Sequence, residues 1–305
     1  MDDDGGSGVD ALSADDAAVL TDLASRAAAQ RGAENFPVAL RVLPRGPREH
    51  LRRVYNFARF VDDVGDEAPG DRLALLDAIE ADVRALWGAT AVLPPVAGLR
   101  PVLDECAIPI EALLDLIEAN RVDQRESGYE TFADLVRYCR LSAAPVGRLV
   151  LHVAGRASPA NIADSDPVCA ALQVLEHCQD VGEDARAGRL YLPATDLRAA
   201  GVALPDLLAT STGPPVRSVV ATQVARARDL LQAGHPLVRR LRGWSRIAVA
   251  GYLAGGIATA DALERADFDV LAHAIRPSRP RTAMHLGRLL LGAFARSPAE
   301  VRRPW

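Results

Sequence analysis

Apolar residues recur along the chain at intervals of three and four, the spacing that puts them on one face of a helix. Leu20, Leu23, Ala27 and Ala28 make one such face. Leu73, Leu76, Ile79 and Val83 make a second, and Leu113, Leu116 and Ile117 a third. Alternating, strand-like runs are nearly absent. Breakers interrupt the helical pattern at Pro69-Gly70, Pro94-Pro95, Pro109, Pro145, Pro167, Gly213-Pro214-Pro215, Gly234 and Pro277. The pattern predicts about ten helices in a single all-α domain. Ser165-Asp166-Pro167, a capping residue followed by proline, predicts a helix start. The domain is expected over residues 15–297. An Asp-, Gly- and Ser-rich tail over 1–14 and an Arg- and Pro-rich tail over 298–305 are expected to be loose.

Composition narrows the function classes. The 305 residues are 49% hydrophobic and 25% charged, ordinary usage for a globular chain. Six Phe, five Tyr and three Trp are few for a large β-sandwich, which favours helix. A net charge of −5 gives no electrostatic footing for nucleic acid. The four cysteines, at 106, 139, 169 and 178, form no CxxC pair and fit no zinc spacing. They read as small buried thiols in a reducing cytoplasm. Met1-Asp2-Asp3-Asp4 lacks the basic and apolar regions of a secretion signal. The longest apolar stretch, Ile247 to Ala260, is too short to span a bilayer and carries three glycines. Those glycines suit either a cavity wall or close helix packing.

Two acidic segments carry the chemistry. In Arg59-Phe60-Val61-Asp62-Asp63-Val64-Gly65-Asp66-Glu67, Asp62 and Asp66 stand four apart, so their carboxylates share a helix face. Like charges at that spacing repel. The preceding Val54-Tyr55-Asn56-Phe57-Ala58 is largely apolar, so the group of carboxylates calls for a compensating cation. In Gln173-Val174-Leu175-Glu176-His177-Cys178-Gln179-Asp180-Val181-Gly182-Glu183-Asp184, Glu176, Asp180 and Asp184 step by four from another apolar helix. His177 lies about a quarter turn off that stripe and reads as a packing residue. All-oxygen donors on rigid helices suit Mg²⁺, which bridges to substrate phosphate. Two such helices facing one another predict a Mg²⁺ cluster that holds a diphosphate while a carbon–oxygen bond breaks. Phe36, Tyr55, Phe57 and Phe60 are candidates to face a carbocation, with ordinary core packing as the alternative.

These segments, with their flanks, resemble the squalene/phytoene synthase family from Asn35 to about Arg281. The resemblance rests on Asn35-Phe36-Pro37-Val38-Ala39, Leu43-Pro44 and Tyr55-x-Phe57-Ala58-Arg59-x-x-Asp62-Asp63-x-x-Asp66-Glu67. It continues in Asp180-Val181-Gly182-Glu183-Asp184 and Gly188-Arg189-Leu190-Tyr191-Leu192-Pro193. It implies an all-α isoprenoid synthase domain with a central cavity, working on prenyl diphosphates. It implies that Asp62, Asp66, Asp180 and Asp184 ligate Mg²⁺, with Glu176 able to join them. Tyr55 and Arg59 would then line the diphosphate side and Gln173 the cavity wall. Asn35 and Phe36 would lie in a flap, and Tyr252 near the diphosphate. Several strings are similar to the hydroxysqualene synthases of bacterial hopanoid pathways. They are Glu34-Asn35-Phe36-Pro37-Val38, Tyr138-Cys139-Arg140-Leu141-Ser142-Ala143-x-Pro145-Val146-Gly147-Arg148, Leu172-Gln173-x-Leu175-Glu176-His177-Cys178-Gln179-Asp180 and Leu241-Arg242-Gly243-Trp244.

The hydroxysqualene reading implies Mg²⁺-dependent ionisation of presqualene diphosphate, rearrangement and capture by water, with no NAD(P)H. No GxGxxG fingerprint stands against it. Condensing relatives usually carry Arg where this chain has Gln179, so the neutral side chain fits a substrate with one diphosphate better than two. The alternatives are head-to-head condensation of two prenyl diphosphates and a non-catalytic paralogue, the latter opposed by the intact aspartates. Arg52 reads as a surface residue. Arg276, Arg279 and Arg281 stand in a region where relatives place a basic diphosphate contact. The expected setting is cytoplasmic, with peripheral contact at the inner membrane face and a functional link to other hopanoid-pathway enzymes.

Overall fold

The computed structural model describes residues 13–29 and 43–293. Asn35, Phe36, residues 1–12 and the tail over 298–305 lie outside the described residues. Helices cover Ala14–Ala29 (α1), Arg45–Glu67 (α2), Arg72–Ala85 (α3), Pro94–Ala97 (α4), Arg100–Cys106 (α5) and Glu111–Arg125 (α6). They continue over Phe132–Ser142 (α7), Ala144–Val153 (α8), Pro159–Gln179 (α9), Val181–Arg186 (α10) and Ala194–Ala199 (α11). Leu204–Leu207 (α12), Pro214–Gln232 (α13), Gly234–Arg240 (α14), Gly243–Arg265 (α15) and Arg279–Gly292 (α16) complete the order. Ten of these have ten residues or more, and the described residues contain no strand, only an isolated bridge between Gly128 and Leu190. No described helix is long and apolar enough to cross a membrane.

Local signals set most helix ends. Asp71 caps α3 by accepting from Ala74 N. Thr131 and Asp134 form a reciprocal capping box at the start of α7. One expected start is displaced: α9 begins at Pro159, capped by Ser158, and runs through Pro167. The same cap-then-proline signature occurs at both places. The later one is carried inside the helix, where Arg148 of α8 grips Asp166 through two nitrogens, at 2.8 and 3.1 Å.

The apolar faces form two cores. The first gathers Leu20, Phe57, Phe60, Leu76, Ile79, Leu113, Ile117 and Leu149. The second gathers Leu135, Cys139, Val174, Leu175, Val220, Val224 and Leu253. Each fully buried Leu or Phe contributes roughly 1.5–3 kcal/mol. Phe57 and Phe60 are core residues with no exposed surface. The helix α6 serves both cores, through Leu113 and Ile117 on one side and Ala119 on the other. The first acidic segment ends α2, in the first core; the second ends α9, in the second core. The seam between the cores is therefore where the two can meet.

The glycines of α15 divide by face. A Cβ at Gly256 would stand 2.8 Å from Leu172 Cδ2, so that face is close packing, whereas Gly251 and Gly255 border open space. Cys139 and Cys178 are buried, and Cys106 and Cys169 are half-buried. Burial raises the thiols of Cys139 and Cys178 to about 12, which leaves them inert.

A buried cation fixes α6 against α3. Arg121 is 8% exposed and pairs with Asp77 and Glu80, each at 2.6 Å, and with Glu118 at 3.4 Å. Arg121→Ala strands part of that carboxylate cluster and is expected to cost about 2–4 kcal/mol, read by urea denaturation.

Candidate active site

The first acidic segment presents its aspartates in different directions. Asp62 opens onto solvent yet is deeply surrounded by protein, as a group lining a concavity is. That surrounding pushes its carboxyl up to about 7, with Asp66 adding repulsion. Asn120 of α6 donates from Nδ2 to Asp62 Oδ1 at 3.1 Å and so offsets part of the shift. This contact requires α2 and α6 to touch at Gly65, where a Cβ would fall 2.0 Å from Asn120 Oδ1. Gln124 and Arg72 also donate to the Gly65 carbonyl, at 2.9 and 3.0 Å. Asp63 turns into the protein, where its carboxylate pairs with Arg59 Nε at 2.8 Å.

The second segment keeps its stripe across a helix break. The helix α9 ends at Gln179 and α10 starts at Val181, but Asp180 N still donates to Glu176 O and Asp184 N to Asp180 O. The fourfold spacing thus survives in space. Burial first, then repulsion from Glu176, Asp184 and Glu183, pushes Asp180 up to about 6. Asp184 Oδ2 is buried without a hydrogen bond, 3.8 Å from His177 Nδ1. His177 stacks face to face on Tyr191 with ring centres 3.7 Å apart. Gln173 Nε2 meets His177 Nε2 at 3.4 Å.

One loop closes the seam. Leu190 N donates to Ser127 O at 2.8 Å, and Gly128 lies against Leu190 so closely that a Cβ would meet its carbonyl at 3.0 Å. This fixes Arg189 and Tyr191 beside the end of α6. Arg189 Nη1 binds Asp66 Oδ1 at 2.6 Å, joining the segment after the second acidic motif to the first motif. Burial works against the guanidinium charge, but the bond to Asp66 outweighs it and holds Arg189 above its ordinary range. Behind this link, Asp123 Oδ2 accepts from the Tyr138 hydroxyl at 2.6 Å and its Oδ1 from Tyr191 at 3.3 Å.

The remaining expected residues take these places. Tyr55 is half-buried on α2, two turns before Asp62. Tyr252 is half-buried on α15 beside Cys169, and burial raises its hydroxyl. The Gln179 amide donates to the Ile275 carbonyl, which ties the loop before α16 to the end of α9. Arg276 follows that carbonyl directly, whereas Arg279 and Arg281 stand in the first turn of α16. Arg52 pairs with Glu49 in solvent. Asn120 and Asp123 carry no sequence signal, because their partners lie 58, 15 and 68 residues away. Tyr138, Arg189 and Tyr191 sit inside the strings that carry the family resemblance, and that neighbourhood is the signal by which they are found.

The donor types suit a hard divalent cation. They are carboxylate oxygens on α2, α9 and α10 and at the break between the last two, two of them with raised proton affinity, and one buried oxygen lacks a hydrogen bond. Among the described residues, no three acidic, histidine or cysteine side chains are gathered so as to hold one ion. Arg189 supplies positive charge to Asp66 in this arrangement.

A family model described as squalene/phytoene synthase matches residues 29–285. The chain is 37% identical over 215 residues to a hydroxysqualene synthase of Rhodopseudomonas palustris, covering 69% of this chain and 72% of that one. A crystal structure of a squalene synthase from Alicyclobacillus acidocaldarius superposes with a TM-score of 0.75 at 37% identity, over 86% of this chain and 99% of that one. A dehydrosqualene synthase in complex with a ligand shares the fold, with a TM-score of 0.76 at 21% identity, over 90% and 96% of the two chains.

The pH dependence of stability follows from Asp62. Its folded value of about 7 exceeds the ordinary 3.8, so the folded chain holds a proton that the unfolded chain has lost in that window. Stability therefore falls as pH rises between those values, and the full penalty stands above the upper one. Asp62→Asn keeps an oxygen for Asn120 and removes the charge. The metal-free variant is expected to melt about 1–3 °C above the parent chain at pH 8 and to show a smaller gain at pH 5, measured by calorimetry. Gly65→Ala is expected to cost about 1–3 kcal/mol by forcing Asn120 aside.

Proposed function

The chain belongs to the squalene/phytoene synthase family, and from that premise we propose that it ionises presqualene diphosphate with Mg²⁺ and delivers hydroxysqualene by rearrangement and water capture. The observation that carries this reading is the ion pair between Arg189, five residues after the second acidic motif, and Asp66 of the first, at a seam between two apolar cores. Similarity to hydroxysqualene synthases over most of the chain supports this reaction within the family. No nicotinamide enters the chemistry.

Asp62, Asp66, Glu176, Asp180 and Asp184 would hold the metal. When bound, Mg²⁺ supplies the positive charge that stabilises a departing diphosphate. The chain's own residues do the rest. Asn120 and Gly65 hold Asp62 in place, and His177 and Gln173 hold the wall beside Asp184. Arg59, anchored by Asp63, places a cation on the same helix as the first motif, one turn from Asp62. Its charge favours the anionic leaving group. The apolar cores on either side keep bulk water from a cation formed in the seam. Gln179 brings no charge to the site and is held by the loop before α16, which fits a single diphosphate.

The test is a product assay with Mg²⁺ and no nicotinamide, on presqualene diphosphate and on farnesyl diphosphate in parallel, read by mass spectrometry. Hydroxysqualene from the first substrate alone is the expected result. A thirty-carbon product made efficiently from farnesyl diphosphate would overturn the reading in favour of head-to-head condensation. Asp180→Asn is expected to slow turnover on presqualene diphosphate by at least about a hundredfold, through the weakened charge at the leaving group. Persistence of turnover within about tenfold would remove Asp180 from the site.

A further inference from the structure

Asp123 is a carboxylate at the seam that belongs to neither acidic motif. It lies in the last turn of α6, walled by the rings of Tyr138, Tyr191 and Tyr129, whose centres are 5.1 to 6.0 Å apart. Both its oxygens are used: Oδ2 by the Tyr138 hydroxyl at 2.6 Å and Oδ1 by the Tyr191 hydroxyl at 3.3 Å. The charged groups around it are Arg189, whose guanidinium is bound to Asp66, and Asp66 itself. The Tyr129 hydroxyl is buried in the same cluster and makes no hydrogen bond. On the far side, Tyr191 stacks on His177, which stands beside Asp184. The cluster thus occupies the wall between the two motifs.

The residue type is informative. An asparagine oxygen would accept a tyrosine hydroxyl without the cost of placing a carboxylate among rings. What a carboxylate adds is the ability to take a proton. Burial holds Asp123 above the ordinary carboxylate range, only partly offset by the Tyr138 hydroxyl, Arg189 and Tyr191.

We propose that Asp123 is a positioning residue that fixes the Tyr138 hydroxyl and drains, through it, the proton released when water captures the cation. The proposal rests on the water-capture reading above. A lone pair of the water oxygen forms the new carbon–oxygen bond. The resulting oxonium passes a proton to the Tyr138 oxygen as the Tyr138 proton moves to the Asp123 carboxylate. Asp123 returns that proton to solvent after the alcohol leaves.

The test uses the full chain with Mg²⁺ and presqualene diphosphate, following diphosphate release and alcohol formation separately. The quantity read is alcohol formed per diphosphate released. In Asp123→Asn this ratio is expected to fall about tenfold or more, with alkenes formed by proton loss making up the difference. Asp123→Glu is expected to recover part of the alcohol. Tyr138→Phe should shift products the same way, and it carries the test by itself where Asp123→Asn does not fold. An unchanged ratio in both variants overturns the proposal while the functional reading stands. A parallel loss of release and alcohol, with the ratio kept, also overturns it. Diphosphate release without alcohol from the parent chain overturns the functional reading, and this proposal with it.

Discussion

Too many carboxylates stand at the seam for its own charge balance, and the rest of the structure is arranged around that. Asp62 and Asp180 both bind protons more tightly than ordinary aspartates because protein surrounds them and like charges stand near. Such a group stores unfavourable free energy until a cation arrives. Arg189 relieves part of the excess by pairing with Asp66 across the seam. The charge left over on the other carboxylates is what the proposed divalent metal would neutralise.

Holding like charges together requires a rigid frame. The frame here is a pair of apolar cores that share α6. That helix is pinned on one side by Arg121 among Asp77, Glu80 and Glu118. On the seam side it presents Asn120 to Asp62 and Asp123 to Tyr138 and Tyr191. Gly65 permits the approach of α2 that brings Asn120 within reach. Stability and function therefore meet in one helix: its outer face anchors the fold and its inner face sets the directions of the site's polar groups.

The two ends of the site differ in chemistry. In the proposed reading the acidic motifs take a metal and a diphosphate. The tyrosine cluster around Asp123 is apolar in its ring faces and polar only at its hydroxyl tips. Gln179 is turned to the Ile275 carbonyl, so its neutral amide serves the loop before α16.

Helix content, the two acidic stripes and the family were legible in the sequence. All three are encoded locally, in spacings of three and four and in short strings that set their own geometry. The Glu176, Asp180 and Asp184 stripe even survives a helix break, because the backbone bonds that define the spacing persist. The start of α9 lies at Ser158 and not at Ser165: two cap-then-proline signatures stand seven residues apart, and the second lies inside the helix, where Arg148 holds Asp166. What tertiary structure alone decided is which distant groups meet. Arg189 reaches Asp66 across 123 residues, Asn120 reaches Asp62 across 58, and Tyr191 reaches Asp123 across 68. No local spacing encodes such pairs, since they follow from how two apolar cores close on a shared helix and from which backbones a missing Cβ lets touch.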